Sequence, residues 1–537
     1  MFANTRSSYS ETRGKNVTWL TDYLLYFNRT FSKKHTIDGM FGFSQQLTTN
    51  DDIYGIAYDY ISEDPNMHVL SGGTNPTDSR NSGTKTELAL MSWFGRVNYN
   101  YADRYLFSLN LRADGSSRFA KGNRWGIFPS FSGAWRISQE DFFDIASITN
   151  LKLRLNWGQL GNQSVSSLYP TISTLSSENV IMGSGGDQYM IVPGYYLGTL
   201  VNQNLKWETT TISNIGVDLG LLDNKLTISA EYFDKRTSGI LREQVIPGTV
   251  GLGAPNVNFA KVANRGVEMD LNWQDQVSDD FSYSVGLNVS TVKNKILQLS
   301  SGKDEETRDG GHRDVYINKV GYAIDSFYGW EMEGIYASQE DIDNSPAYGN
   351  AIVGSLKFKD QNGDNKIDAD DRVILGNAIP KLSFGLKLGT QYKNFDFSMF
   401  WQGDLGKKQY MPYEKWLNDG GCNYGKWWYE NRWNGEGTPG KWPAVIWGAA
   451  YSMYEMNDFL LTNASYARLK NISIGYSFDI EKKYKARVYV SGENVLTLTS
   501  KDFYGYDPEN GGTAQYNYWA DSYPTAMTFM IGANLTF

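Results

Sequence analysis

The sequence predicts an all-β fold, an antiparallel transmembrane β-barrel with long extracellular loops at one rim and short periplasmic turns at the other. Three observations lead to this prediction. Apolar and polar residues alternate over many segments, tight turns alternate with loops of tens of residues, and aromatic residues make up 15% of the chain. A period of two residues places the apolar side chains of a strand on one face, so that this face meets lipid and the other meets water.

The composition fits a barrel and excludes other classes. A chain of 537 residues is longer than a single hydrophobic core usually allows, which leaves several domains or one large barrel. The mean hydropathy of −0.46 suits a membrane barrel, because only alternate residues of each strand face lipid. The 36 Tyr and 16 Trp suit the aromatic girdles of such barrels. A net charge of −9 argues against a nucleic-acid partner.

The N-terminal segment predicts a hairpin, with strands over 20–31 and 37–43 joined by a turn at 32–34. Positions 47–88 are rich in polar residues and predict a long surface loop. The first eight residues contain no apolar segment of the kind found in secretion signals. We therefore expect the chain to lack a signal peptide.

The clearest alternation lies between Trp93 and Trp157, where three strands are predicted. Their polar face begins with Ser108, Asn110 and Arg112. The residues of the apolar face are Tyr105, Phe107, Leu109 and Leu111, then Phe131, Gly133, Trp135 and Ile137, then Leu151, Leu153, Leu155 and Trp157.

Later segments repeat this arrangement around connections of two lengths. A loop of roughly forty residues is predicted at 162–205, and tight turns are predicted at 102–104, 222–225 and 275–280. Short turns at one rim and long loops at the other are typical of bacterial outer-membrane barrels. One predicted hairpin has outward residues Val267, Met269, Leu271, Trp273, Tyr283, Val285, Leu287 and Val289, and inward residues Glu268, Asp270, Asn272, Ser282, Ser284, Gly286 and Asn288.

Several long sequence words resemble the SusC/RagA family of TonB-dependent outer-membrane transporters of Bacteroidetes-type bacteria. Examples are LRADGSSRF at 111–119, NRWGIFPS at 123–130 and GYDP at 505–508. The further matching segments are 135–138, 158–163, 326–329, 334–336, 358–372, 376–377, 380–381, 430–433, 467–476 and 489–495.

The resemblance implies that residues 1–537 are the C-terminal part of a TonB-dependent-receptor barrel. We count roughly sixteen strand candidates, whereas plugged transporters close with about 22 strands. The signal peptide, the carboxypeptidase-like N-terminal domain and the plug domain are therefore expected to be absent from this chain. The expected location is the outer membrane, as a multi-pass β-barrel in contact with lipid.

The resemblance also implies a function, which is import of nutrient oligomers, most often oligosaccharides and sometimes peptides, with no enzymatic step. The implied partners are a SusD-like surface lipoprotein, which closes over the barrel as a lid, and TonB, which acts through a plug not present in this chain. Two alternatives stay open. The chain could be a soluble all-β glycan-binding protein or hydrolase, or a truncated transporter fragment without a function of its own.

One acidic segment has the spacing of a calcium loop, and calcium is the only cofactor that the sequence suggests. Its residues at positions 1, 3, 5, 7, 9 and 12 are Asp360, Asn362, Asp364, Lys366, Asp368 and Asp371. The pattern departs from an EF-hand because Asn365 replaces glycine at position 6 and position 12 is Asp in place of Glu. The alternative interpretation is a solvated Asx-rich turn.

A tryptophan-rich segment contains Trp416, Trp427, Trp428, Trp433 and Trp442. Aromatic rings stack on sugar rings, so Trp427, Trp428 and Trp433 are candidate substrate-binding residues. Packing within the loop or against the barrel rim is the favoured alternative, because aromatic residues are enriched throughout barrels of this class.

The chain ends in an alternating strand over 527–537 whose last residue is Phe537. In outer-membrane proteins a C-terminal aromatic strand is the recognition signal of the assembly machinery, so Phe537 is the candidate assembly signal. No HExxH or GxSxG motif occurs, and the three histidines are scattered. The sequence therefore suggests no catalytic residue.

Overall fold

The computed structural model describes all residues except 1–5, 184–189, 245, 300–301, 310–313, 411–425, 437, 439–441, 446–454, 481–483, 506 and 510–524. The described residues form mainly antiparallel strands. The helices are short, with α1 at Gln339–Asp343 and α2 at Lys426–Asn431. No helix in the described ranges is long and apolar enough to cross a membrane.

The strands of the described residues follow one another along the chain, separated by turns and loops. The first fourteen are β1 (Ser8–Phe31), β2 (His35–Tyr58), β3 (Arg80–Tyr101), β4 (Tyr105–Ser116), β5 (Trp125–Arg136), β6 (Ile148–Asn162), β7 (Leu175–Met182), β8 (Met190–Leu197), β9 (Glu208–Leu221), β10 (Leu226–Ser238), β11 (Leu241–Glu243), β12 (Asn256–Asn258), β13 (Lys261–Ser278) and β14 (Phe281–Ser290). The others are β15 (Lys293–Gln298), β16 (Glu305–Asp309), β17 (Asp314–Lys319), β18 (Ser326–Gly329), β19 (Met332–Ile335), β20 (Leu356–Phe358), β21 (Val373–Gly376), β22 (Leu382–Tyr392), β23 (Phe395–Leu405), β24 (Lys408–Tyr410), β25 (Leu461–Asn463), β26 (Tyr466–Ile480), β27 (Tyr484–Thr499) and β28 (Thr528–Thr536).

Sixteen of these described strands are main-sheet strands, in agreement with the roughly sixteen that the sequence predicts. The other twelve form short sheets of two or four strands within the loops. The chain divides into two compact units. Unit 1 consists of Met1–Gly133, Asn156–Thr211 and Thr237–Phe259, and unit 2 consists of Ala134–Leu155, Ile212–Arg236 and Ala260–Phe537.

In unit 1, the strands β1, β2, β3 and β4 are neighbours in that order and pair in an antiparallel manner. The predicted turn after Phe31 is confirmed, because Phe31 pairs with His35. The predicted turn at 102–104 is confirmed in the same way, because Tyr101 pairs with Tyr105.

The prediction of a surface loop over 47–88 is wrong. β2 continues to Tyr58 and β3 begins at Arg80, so the loop covers only 59–79. Each of these strands is longer than the roughly 25 Å apolar band of an outer-membrane barrel, at about 3.3 Å per residue. Beyond the band both faces meet water, and cross-strand pairs such as Asp51 with Lys85, at 3.2 Å, hold polar residues in the strand.

In unit 2, the strands β13, β14, β22, β23, β26, β27 and β28 are neighbours in that order. The predicted phase of the β13–β14 hairpin is confirmed, because Leu271 pairs with Leu287 and Asn272 pairs with Gly286. Rows of paired residues therefore alternate between an apolar and a polar face. One apolar row contains Val285, Leu388, Met399 and Ile472, and the adjacent polar row contains Ser284, Gly389, Ser398, Ser473 and Ser491.

The long loops of unit 2 fold into a module with its own hydrophobic core. A first cluster centres on Val315, Phe327 and Leu460, and a second centres on Trp330 and Phe358. Phe459 packs against both clusters. The core of unit 2 thus lies in its loops, while the sheet faces stay open.

Candidate functional site

The apolar faces of the strands are exposed, which is the reverse of a soluble sandwich. On β4, Phe107, Leu109 and Leu111 follow one another on one face and are 54%, 60% and 54% exposed. Exposed apolar faces of this kind are rare in soluble monomers and mark contact with a partner or a membrane. The pattern repeats in unit 2, where Val488 and Val490 are exposed on one face of β27.

Aromatic rings are placed beside the short turns. In unit 1, the rings of His35 and Tyr101 lie 4.9 Å apart next to the β1–β2 and β3–β4 turns. In unit 2, Phe395 lies 4.7 Å from Tyr476. Rings at this position are typical of the belt at a membrane–water interface.

The opposite, polar face of unit 2 forms a concave pocket of about 590 Å³ near the short turns. Hydroxyl, amide and carboxylate groups dominate its lining, and few apolar side chains contribute. Its lining residues include Gln274, Gln276, Ser282, Ser284, Gln391 and Asp396. This surface offers hydrogen-bond donors and acceptors to a polar ligand and has no arrangement of a nucleophile with a base.

Ion pairs cross the polar faces of the strands in unit 2. Arg487 forms two hydrogen bonds with Asp396, at 2.9 and 2.6 Å, across the intervening Gly475. Arg154 lies 2.9 Å from both Asp218 and Glu231. These groups balance one another, so the wall is hydrophilic without a strong local charge.

The six residues of the predicted calcium loop lie together in the loop module of unit 2. The side-chain oxygens of the five residues other than Lys366 accept hydrogen bonds from main-chain N–H groups of the same loop. Asp360 accepts from Gly363 at 2.6 Å and from Asn365 at 2.8 Å. Desolvation opposes ionisation of Asp360, but these N–H groups outweigh it and lower its pKa.

Asp371, at the twelfth position of this loop, is wholly buried. Its two oxygens accept from the N–H groups of Gln361 and Asp368, each at 2.8 Å. Within the described ranges, no group of three or more His, Cys, Asp and Glu side chains is placed to hold a metal ion. The main-chain contacts correspond to the Asx-turn interpretation, and calcium binding stays a prediction.

The described tryptophans of the aromatic segment have different environments. Trp428 is 1% exposed and packs 5.0 Å from Trp442 and 5.8 Å from Phe459. Its ring faces are therefore in contact with protein. Trp433 is half-buried, and its main-chain N–H donates to the main-chain carbonyl of Trp442 at 2.7 Å. Trp427 lies in α2, and Trp416 lies outside the described residues.

Comparison with known families decides the assignment. The model of the family described as "TonB dependent receptor-like, beta-barrel" matches residues 2–495. The chain belongs to this family. The membership agrees with the apolar outer faces and the polar inner faces, and it places the chain in the outer membrane, as the sequence predicts.

Individual family members give the same result. TonB-dependent receptor P3 of Formosa agariphila is 33% identical over 96% of this chain and 52% of its own length. TonB-dependent receptor SusC of Bacteroides thetaiotaomicron is 32% identical over 84% of this chain and 44% of its own. The structure of the RagAB peptide transporter has a TM-score of 0.82 at 22% identity, covering 99% of this chain and 57% of that one. The chain thus spans about half the length of the relatives it matches.

Sequence reasoning missed one buried ion network of this family member. Arg468, which is 4% exposed, contacts Asp507 at 2.6 Å and Glu509 at 2.5 Å. Lys470 also contacts Glu509, at 2.8 Å. Arg468 and Lys470 lie in the matching segment ARLKNISIGY at 467–476, Asp507 lies in the matching segment GYDP at 505–508, and Glu509 follows directly after it. Both segments can be recognised in the sequence, but nothing in the sequence indicates that they are in contact in the fold.

Phe537 directly follows the last strand, β28, and is 94% exposed. β28 pairs with β27 in unit 2. The structure thus places the candidate assembly signal at an accessible position, and its recognition stays a prediction.

Proposed function

We propose that this chain is the barrel part of a SusC-like importer that moves nutrient oligomers, most often oligosaccharides, across the outer membrane. The observation that carries the proposal is that the same strands have one apolar face and one polar face. An apolar face suits lipid, and a polar face with a pocket of about 590 Å³ suits a route for hydrophilic solutes. The proposal gives the chain no catalytic step.

The proposal includes two partners. A SusD-like surface lipoprotein would close over the long loops, and TonB would act through a plug domain. The family membership supports both partners, because TonB is part of the family's name and a relative of this chain is called SusC. A related fold occurs in a protein described as a peptide transporter, so a peptide is the competing substrate.

The chemistry of the pocket favours oligosaccharides over peptides. Serine hydroxyls and glutamine amides donate and accept hydrogen bonds, as the hydroxyls of sugars require, and most side chains of the lining are polar, with Tyr283 and Phe397 as its aromatic members. Trp433, which is half-buried in the loop module, and Trp427 are the proposed sugar-stacking residues.

Uptake measurements test the proposal. The coding sequence is deleted in its natural host, and uptake of labelled oligosaccharides and oligopeptides is compared with that of the parent strain. Loss of uptake of at least one oligosaccharide is expected. Ser398→Arg, which places a long side chain in the pocket, should lower uptake without lowering the amount of protein in the outer membrane. Loss confined to peptides refutes the oligosaccharide assignment, and no loss at all favours a fragment without function.

We also propose calcium binding at the 360–371 loop, on the basis of its spacing alone. A calorimetric titration with calcium should give a binding heat that Asp364→Asn removes. If no heat is measured, the loop is an Asx-rich turn.

A further inference from the structure

We propose that the β1–β2 and β3–β4 turns of unit 1 form a binding site for the anionic headgroup of a phospholipid. The site would hold a phosphodiester between exposed cations and interfacial aromatic rings. It is separate from the substrate route, because its residues lie at the turns and on the apolar face.

The cations belong to the end of one long hairpin. Lys33 and Lys34 form the β1–β2 turn, and both are exposed. Arg29 is exposed on the apolar face of β1, and its guanidinium lies 5.0 Å from the ring centre of Phe31. Within the described part of the chain, no acidic side chain forms an ion pair with Arg29, Lys33 or Lys34.

The neighbouring turn completes the site. The main-chain N–H of Ala102 donates to the carbonyl of Lys34 at 2.6 Å, so the β3–β4 turn is in direct contact with the lysines. Asp103, the acid of that turn, accepts a hydrogen bond from the Asn100 side chain at 2.9 Å. Arg104 is the next residue of the same turn.

The depth of these cations matches a lipid headgroup. On the apolar face of β1, Tyr23, Leu25 and Phe27 are exposed, and Arg29 is the next residue on that face. Because a strand rises about 3.3 Å per residue, Arg29 lies roughly 7 Å beyond Phe27, between that ring and Phe31 at the end of the strand. The lysines follow at the tip. Phosphates occupy this zone of a membrane, and basic clusters there attract anionic lipids.

Two short turns of unit 2 show the opposite arrangement. Lys225 is 2.6 Å from Asp275, and Lys393 is 3.8 Å from Asp280. An acidic neighbour neutralises each of these lysines, so neither turn offers free positive charge. The two pairs of lysines therefore form a natural comparison, with equal charge and similar position but different partners.

Lipid binding by the full 537-residue chain, purified in mild detergent, tests the proposal. Native mass spectrometry counts bound phosphatidylglycerol and bound phosphatidylcholine during titration with each lipid. The wild type should prefer phosphatidylglycerol, and Lys33→Gln with Lys34→Gln should lower its apparent affinity roughly tenfold or more. Lys225→Gln with Lys393→Gln should leave the preference unchanged.

Three results would overturn the proposal. These are equal binding of the two lipids by the wild type, equal loss in both double variants, and displacement of phosphatidylglycerol by millimolar inorganic phosphate, which would indicate a simple anion site. Heat-modifiable migration on a gel verifies the fold of each variant. If the Gln variant does not fold, Lys33→Arg with Lys34→Arg replaces it, and loss of preference in that charge-retaining variant also refutes the site.

Discussion

Adjacent residues of one strand should respond in opposite ways to the same charged substitution. Met399 lies at the centre of β23, which has 11 residues, the length that a tilted transmembrane strand requires. Its row partners are Leu388 and Ile472, on the lipid-facing side. Met399→Arg places a charge near the middle of the bilayer, and we expect a loss of about 2–4 kcal/mol in folding free energy.

Ser398 is the matched control, because it precedes Met399 and belongs to the polar row with Gly389 and Ser473. Ser398→Arg points into the hydrophilic interior and should cost less than about 1 kcal/mol, since its charge stays in water. Because the introduced arginine and the strand are the same, the difference between the variants reports mainly on the face that each residue occupies.

Folding into phospholipid vesicles measures both costs. The chain is diluted from urea into vesicles over a range of final urea concentrations, and the folded fraction is read from heat-modifiable migration on a gel. The transition midpoint of Met399→Arg should lie clearly below that of Ser398→Arg. Equal midpoints, or a larger loss for Ser398→Arg, would show that the outward and inward faces have been assigned wrongly.

Three predictions concern the loop module. Trp428→Ala should lower the stability of the module by about 3–5 kcal/mol, because the ring is buried. Tyr429→Ala, at a residue that is 66% exposed, should change the stability little. The susceptibility of the loop module to a protease should therefore rise in the first variant and stay unchanged in the second. Arg468→Met leaves the buried Asp507 carboxylate without its cation and should cost about 3–5 kcal/mol in thermal unfolding. Burial opposes ionisation of Asp507, but the hydrogen bonds from Arg468, from Thr525 and from the main-chain N–H of Glu509 together outweigh it and lower the Asp507 pKa to about 2. The contribution of the ionised carboxylate should therefore be complete above pH 4 or so and be lost as the pH falls through about 2. Asp371→Ala should lower the melting temperature in calcium-free buffer, because two main-chain N–H groups lose their acceptor at about 1–3 kcal/mol each; an unchanged melting temperature would contradict that role.

The sequence predicted the sheet well because strand periodicity is local. The phase of Leu271 and Asn272 could be read from alternation alone, and pairing in the structure agrees with it. The ends of β2 and β3 could not be predicted in this way. The parts of β2 and β3 outside the membrane have water on both faces, so apolar and polar residues need not alternate there. Residues such as Asp51 therefore look like loop residues, although main-chain pairing continues through them.

The candidate sites were less predictable because they depend on contacts between distant segments. The sequence identified Trp428 as aromatic and near others, but its burial against Phe459 depends on how the loops fold. The ion pair of Arg468 with Asp507 joins residues 39 positions apart. Periodicity carries no information about such pairs, so only the structure could show that two of the family words are in contact.

Glycines let long side chains lie along the polar wall without projecting from it. The ring of Tyr489 lies over Gly532 on the neighbouring strand, and the ion pair of Arg487 with Asp396 crosses Gly475. A Cβ atom at Gly475 would come within 2.5 Å of both charged groups, so alanine there would push the ion pair towards the interior. Because a route for oligomers needs width as well as polarity, these glycines are as important for the proposed transport as the polar residues that cover them.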